Sequence, residues 1–175
     1  VILDHQVHSS VQMAAKLLHA SGTTLEVLPH NQLERLEDRV VALAKTHRQV
    51  WYMADGVYSM FGDLAPIAKI AAILERHEQM RFYVDDAHGM SWCGPNGAGS
   101  VLDAIPLHSR MILATGMAKG FGTGGGLIVS CRPEIKKKVR RFGPTLIFAG
   151  PLQPPILGAA IASARIHLSP EIRTL

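Results

Sequence analysis

Two hydrophobic rhythms take turns along the chain. Val1-Ile2-Leu3 is a short apolar run ending on Asp4, and residues 10–20 then place apolar side chains at helical spacing, with Gly22 as the stop. Thr24 to Leu28 alternates like a strand. Asn31 is placed to cap a helix whose stripe is Leu33, Leu36, Val40, Val41 and Leu43. Val50 to Ala54 predicts a buried strand, and 64–74 a helix with Pro66 near its start. Phe82-Tyr83-Val84, Met111 to Ala114 and Leu127-Ile128-Val129 predict three more strands. A basic helix is expected from Pro133, and a last helix from Pro155 to His167.

Strands separated by helices imply an α/β fold, with a mostly parallel sheet and helices on both faces. Ligands of such sheets bind beyond the carboxyl ends of the strands. Three of those ends carry polar or glycine-rich turns: Asp55-Gly56, Asp85-Asp86-Ala87-His88-Gly89 and Thr115-Gly116. Function is expected there.

Composition narrows the class. Hydrophobic residues form 47% of the 175 and charged residues 18%, a balance that supports a packed core rather than a disordered chain. No apolar run reaches the ~18 residues of a membrane span, and the first residues lack the basic-then-apolar pattern of a secretory signal. A cytoplasmic or similarly reducing compartment is expected. Cys93 and Cys131 form no C-x-x-C pair, which leaves a zinc site unsupported and predicts two buried thiols. The run from Lys136 to Arg141 supplies much of the +4 charge; without interleaved aromatics it predicts a solvated helix face and no nucleic-acid partner.

Three segments could carry chemistry. In Asp85-Asp86-Ala87-His88 the adjacent acids point in different directions and no further ligand completes a metal set, so no metal is expected. A carboxylate at a strand end with a histidine three residues on suits a heteroaromatic cofactor, and a turn acid beside a satisfied histidine explains the motif equally well. Lys119 follows a buried strand, where desolvation lowers a lysine pKa and makes the amine nucleophilic; a surface lysine is the alternative. Gly120-Phe121-Gly122-Thr123-Gly124-Gly125 matches G-x-G-x-x-G, but a strand follows where a dinucleotide site needs a helix. Around Ser59 no glycine stands where a nucleophile elbow requires one. Ser59 is then a turn residue, and Asp63 an N-cap for the next helix.

The ordered set of motifs resembles the α-oxoamine synthases, a family of fold-type I pyridoxal-phosphate (PLP) enzymes in the aminotransferase class I/II group. Asp4 to Ser10, His30-Asn31-Gln32, Gly56 to Pro66, Asp85 to Gly89 and Gly94 to Gly99 carry the likeness through nearly the whole chain. It implies a large PLP-binding domain over 1–152, incomplete at both ends, and a helix over 153–175 leading to a small domain that is not present. It also implies roles. Lys119 carries PLP as a Schiff base and moves the Cα proton, Asp85 pairs with the pyridinium nitrogen, and His88 and Ser59 surround the ring oxygen. Thr115 meets the phosphate or the lysine turn. The implied activity condenses an amino acid with an acyl-CoA, losing CoA and carbon dioxide, in a homodimer. An aminotransferase of the same fold, or a non-catalytic partner subunit, are the alternatives, and Lys119 argues against the second.

The chain departs from the family pattern in places. Gly116 stands where threonine is usual, Phe61 where an acid is, and Ala98 where arginine is. Around Phe148 to Pro151 the hydroxyl residues that reach a partner subunit's phosphate are missing. The resemblance puts the ring-stacking residue upstream of this chain, so His8 is not expected to be that residue. The isolated chain is expected to bind PLP poorly and to lack activity.

Overall fold

The computed structural model describes residues 1–174. Six strands form one sheet: β1 (Ile2–Asp4), β2 (Glu26–Leu28), β3 (Val50–Asp55), β4 (Met80–Asp85), β5 (Met111–Gly116) and β6 (Gly126–Val129), in the order β2-β1-β3-β4-β5-β6. The first five are parallel, and β6 runs antiparallel to β5. The helices between them are α1 (Ser9–Ala20), α2 (Leu33–Ala44), α3 (Ile67–Arg76) and α4 (Ser100–Ala104), followed after β6 by α5 (Pro133–Phe142), α6 (Pro144–Phe148) and α7 (Pro154–His167).

Strand alternation decides which helix covers which face. Met80, Phe82 and Val84 of β4 point to one side and pack with Tyr52, Met111, Leu36 and Val40 of α2, and Ile70 and Leu74 of α3, all buried. Met53 and Tyr83 point to the other side and pack against Leu3, Val7, and Val11 and Ala15 of α1. Each fully buried side chain of this size contributes about 2 kcal/mol. β6 is exposed along most of its length.

Several local expectations are corrected. Asn31 does not cap α2; Gln32 holds that position, and Asn31 turns at φ 55° with its N–H on Asp4. The helix expected over 64–74 is α3, because Leu64 bridges back to Val57 and Pro66 becomes the residue before the first turn. Asp63 is not its N-cap: its carboxylate lies 2.6 Å from His30 Nε2. Cys93 is half-buried and Cys131 exposed, in a loop where the Cys131 thiol reaches the Leu107 carbonyl, so neither is a core thiol. The basic helix α5 buries none of its residues. Among the described residues no helix is long and apolar enough to cross a membrane.

Candidate active site

Parallel pairing brings the carboxyl ends of β1, β3, β4 and β5 to one edge of the sheet, where the turns after them meet. Asp85 ends β4 and lies in register with Asp55 at the end of β3. Its carboxylate accepts the Ala87 N–H at 3.0 Å, a tight turn that carries the chain directly to His88. The neighbouring acid takes the other direction. Asp86 is buried, accepts the Ser100 hydroxyl at 2.6 Å and the Val101 N–H at 3.0 Å, and so fastens the start of α4 to the end of β4. Its carboxylate fills the space that a Cβ on Gly56, Gly89 or Gly99 would need. Asp86 is a structural acid, and Asp85 is left at the mouth.

Lys119 lies in the turn after β5, and its Nζ is 2.5 Å from His88 Nε2. Burial lowers the His88 pKa, and the nearby Lys119 and His8 lower it further, against the opposing pull of Asp85. At neutral pH the ring is therefore uncharged, and its Nε2 can accept the Lys119 N–H. Lys119 itself is exposed, not desolvated as its position after a buried strand suggests; the small and glycine residues of its turn do not cover it.

The other expected residues lie differently. Thr115, on the last turn of β5, donates its hydroxyl to the Asp86 carbonyl at 3.2 Å. Ser59 is exposed on the turn after β3, and among the described residues no side chain bonds its hydroxyl. The structure thus brings Asp85, His88 and Lys119 together, sets Thr115 beside them, and leaves Ser59 at the rim.

One residue of this mouth escapes the sequence reading, and a second is named there only as part of a turn. His8, excluded by the resemblance only as the ring-stacking residue, caps α1 and stands close enough to lower the His88 pKa. Asp55 is buried, and its carboxylate accepts the His8 backbone N–H at 3.0 and 3.2 Å. Burial foremost, with the Asp85 and Asp4 carboxylates, pushes its pKa up to about 7. Position could have found His8: β1 belongs to the parallel set, so the turn after it is a fourth turn at the same edge.

A carboxylate, an uncharged imidazole and a primary amine at one mouth fit a nitrogen heterocycle that bears an aldehyde. The amine can bond the aldehyde carbon, the carboxylate can hold a ring N–H, and the imidazole can reach a ring oxygen. Among the described residues no group of three or more His, Cys, Asp or Glu could hold a metal ion.

A family model described as aminotransferase class I and II matches residues 1–173. The chain belongs to this family. Within the aminotransferase class I and II family, 8-amino-7-oxononanoate synthase of Dechloromonas aromatica is 33% identical over 165 residues, which are 94% of this chain and 41% of the relative. The 5-aminolevulinate synthase of Bradyrhizobium diazoefficiens is 36% identical over 151 residues, 86% of this chain and 36% of the relative. A structure of serine palmitoyltransferase from S. paucimobilis, with a bound PLP–myriocin aldimine, superposes with a TM-score of 0.82 at 31% identity, covering 96% of this chain and 42% of that one. The chain therefore spans about two fifths of the length of the relatives it matches.

Proposed function

We propose that the full-length protein is a PLP-dependent acyltransferase that condenses an amino acid with an acyl-CoA, releasing CoA and carbon dioxide. The observation that carries this reading is the contact of Lys119 Nζ with His88 Nε2 beside Asp85, at the carboxyl edge of the sheet. The condensing enzymes among its relatives give the substrate class. When bound, the cofactor supplies an electron-withdrawing ring that stabilises negative charge at the substrate Cα.

The chain's own residues do the rest. Lys119 would supply the amine that holds the cofactor's aldehyde carbon and, as a free amine, would move the proton at the substrate Cα. Asp85 holds the proton on the ring nitrogen. His88, uncharged at neutral pH, is placed to hydrogen-bond the ring oxygen and to contact the incoming thioester carbonyl. Thr115 would offer its hydroxyl to the phosphate or the lysine turn, and Ser59 would join the ring-oxygen network from the rim. Residues 1–152 belong to the PLP-binding domain and 153–175 lead to a second, smaller one. The working form is a homodimer in the cytoplasm.

Transamination is the alternative, in which Lys119 would move a proton to the cofactor instead; the condensing enzymes among the relatives do not favour it. Incubation of the full-length protein with amino acids and acyl-CoAs separates the two. Thiol release that depends on both substrates is expected. Keto-acid formation without thiol release would establish transamination in its place.

A further inference from the structure

The turn that carries Lys119 is fastened from its far side. Ser163, on α7, donates its hydroxyl to the Phe121 carbonyl at 2.7 Å. Ser91, in the loop after β4, donates to the Gly120 carbonyl at 2.9 Å. The Ser91 hydroxyl also lies 2.7 Å from His167 Nε2, and His167 Nδ1 lies 2.8 Å from the Ser163 carbonyl. The buried His167 ring packs on Phe121 at 4.7 Å between centroids. One turn further on, Thr123 donates to the Ile156 carbonyl at 3.1 Å. Three successive parts of the lysine turn are thus tied to α7 or to a residue that α7 holds.

Ser91 makes this arrangement more than incidental packing. It has φ 87°, a left-handed conformation that favours glycine. A serine here gives up backbone ease, and its hydroxyl does one thing in return: it joins His167 to the carbonyl next to Lys119. The two turns leave no room for slack, since a Cβ on Gly120 would come within 3.0 Å of Ser91 Cβ.

We infer that α7 clamps the lysine turn, with Ser91, Ser163 and His167 as positioning residues that hold the backbone of Gly120 and Phe121 and so aim the Lys119 amine at its partner. The inference rests on the reading of Lys119 as the cofactor-bearing amine. It goes further by making the orientation of that amine depend on α7, a helix that contributes no group to the mouth itself. Movement of α7 would then be felt at Lys119 through three hydrogen bonds.

The test uses full-length Ser91→Gly, Ser163→Ala and His167→Gln proteins, with Ser163→Thr as the conservative variant. Hydrogen exchange of the apoprotein is read at the Gly122 and Thr123 amides, which donate to Lys119 and Met117 within the turn. Each loss of a clamp hydrogen bond is expected to speed exchange there by about fivefold, with the sheet amides unchanged and Ser163→Thr close to wild type. In the loaded protein the absorbance of the lysine-bound cofactor is expected to shift and its release to quicken by a similar factor. Ser91→Gly relieves the backbone, so a simple loss of fold is not expected from it. Unchanged exchange and spectra in all three variants would overturn the clamp, as would exchange raised evenly across the sheet. A wild-type protein not labelled at Lys119 after borohydride would instead sink the functional reading, while the exchange result would still decide the clamp.

Discussion

Replacing Asp55 by asparagine should change how stability depends on pH. The Asp55 carboxyl is 2% exposed and faces Asp85 in register across the parallel pair. Burial, then the Asp85 and Asp4 carboxylates, raise its pKa from 3.8 to about 7, although the His8 N–H and Lys119 pull the other way. A carboxyl with a raised folded pKa holds its proton more tightly when folded. Its stabilisation is complete below about pH 4 and is lost as the pH climbs to about 7. At about 1.4 kcal/mol per pKa unit, the full window corresponds to roughly 4 kcal/mol, of which roughly 3 fall between pH 5 and 8. Asparagine does not titrate, and its amide oxygen can still accept the His8 N–H. Urea unfolding of full-length apoprotein at pH 5 and pH 8 reads the difference directly. Wild type should lose about 3 kcal/mol more than Asp55→Asn over that interval. Parallel pH profiles for the two proteins would refute the assignment of a buried, proton-binding Asp55.

Asp86→Ala strands the Val101 N–H and the Ser100 hydroxyl that the carboxylate now accepts, and should cost roughly 3 kcal/mol in urea unfolding, with Asp86→Asn costing about 1 kcal/mol. His30 lies 2.9 Å from Asp4 and 2.6 Å from Asp63. Burial draws its pKa down, but the two carboxylates outweigh burial and raise it. Its stabilisation is therefore full below about pH 6.5 and fades as the pH rises through the raised value. Thermal melting should show a larger loss for His30→Gln at pH 5.5 than at pH 8.5.

Periodicity disclosed most of the architecture because strands and helices differ in how they bury side chains. The stripe of α2 and the apolar run of β4 were both legible, and the parallel set followed from strands separated by helices. Asn31 and Asp63 were misplaced for a shared reason. Both are cap-type residues, but the local rule does not see His30, which joins Asp4 and Asp63 across 26 and 33 residues. The two acids after β4 could be separated in principle from strand alternation, but which one the core takes depends on Ser100 and Val101, more than a dozen residues away. His8 stayed hidden because β1 is only three residues long and its turn carries no glycine. The exposure of Lys119 matches the surface-lysine alternative and not the desolvated one, since it is set by how the glycine-rich turn projects and not by the strand before it.

Borohydride reduction of the full-length protein loaded with PLP, followed by peptide mapping, tests the central claim most directly. A single pyridoxyl adduct on Lys119, absent from Lys119→Ala, is the predicted result. An adduct confined to another lysine, or no adduct in a protein that binds the cofactor, would contradict it.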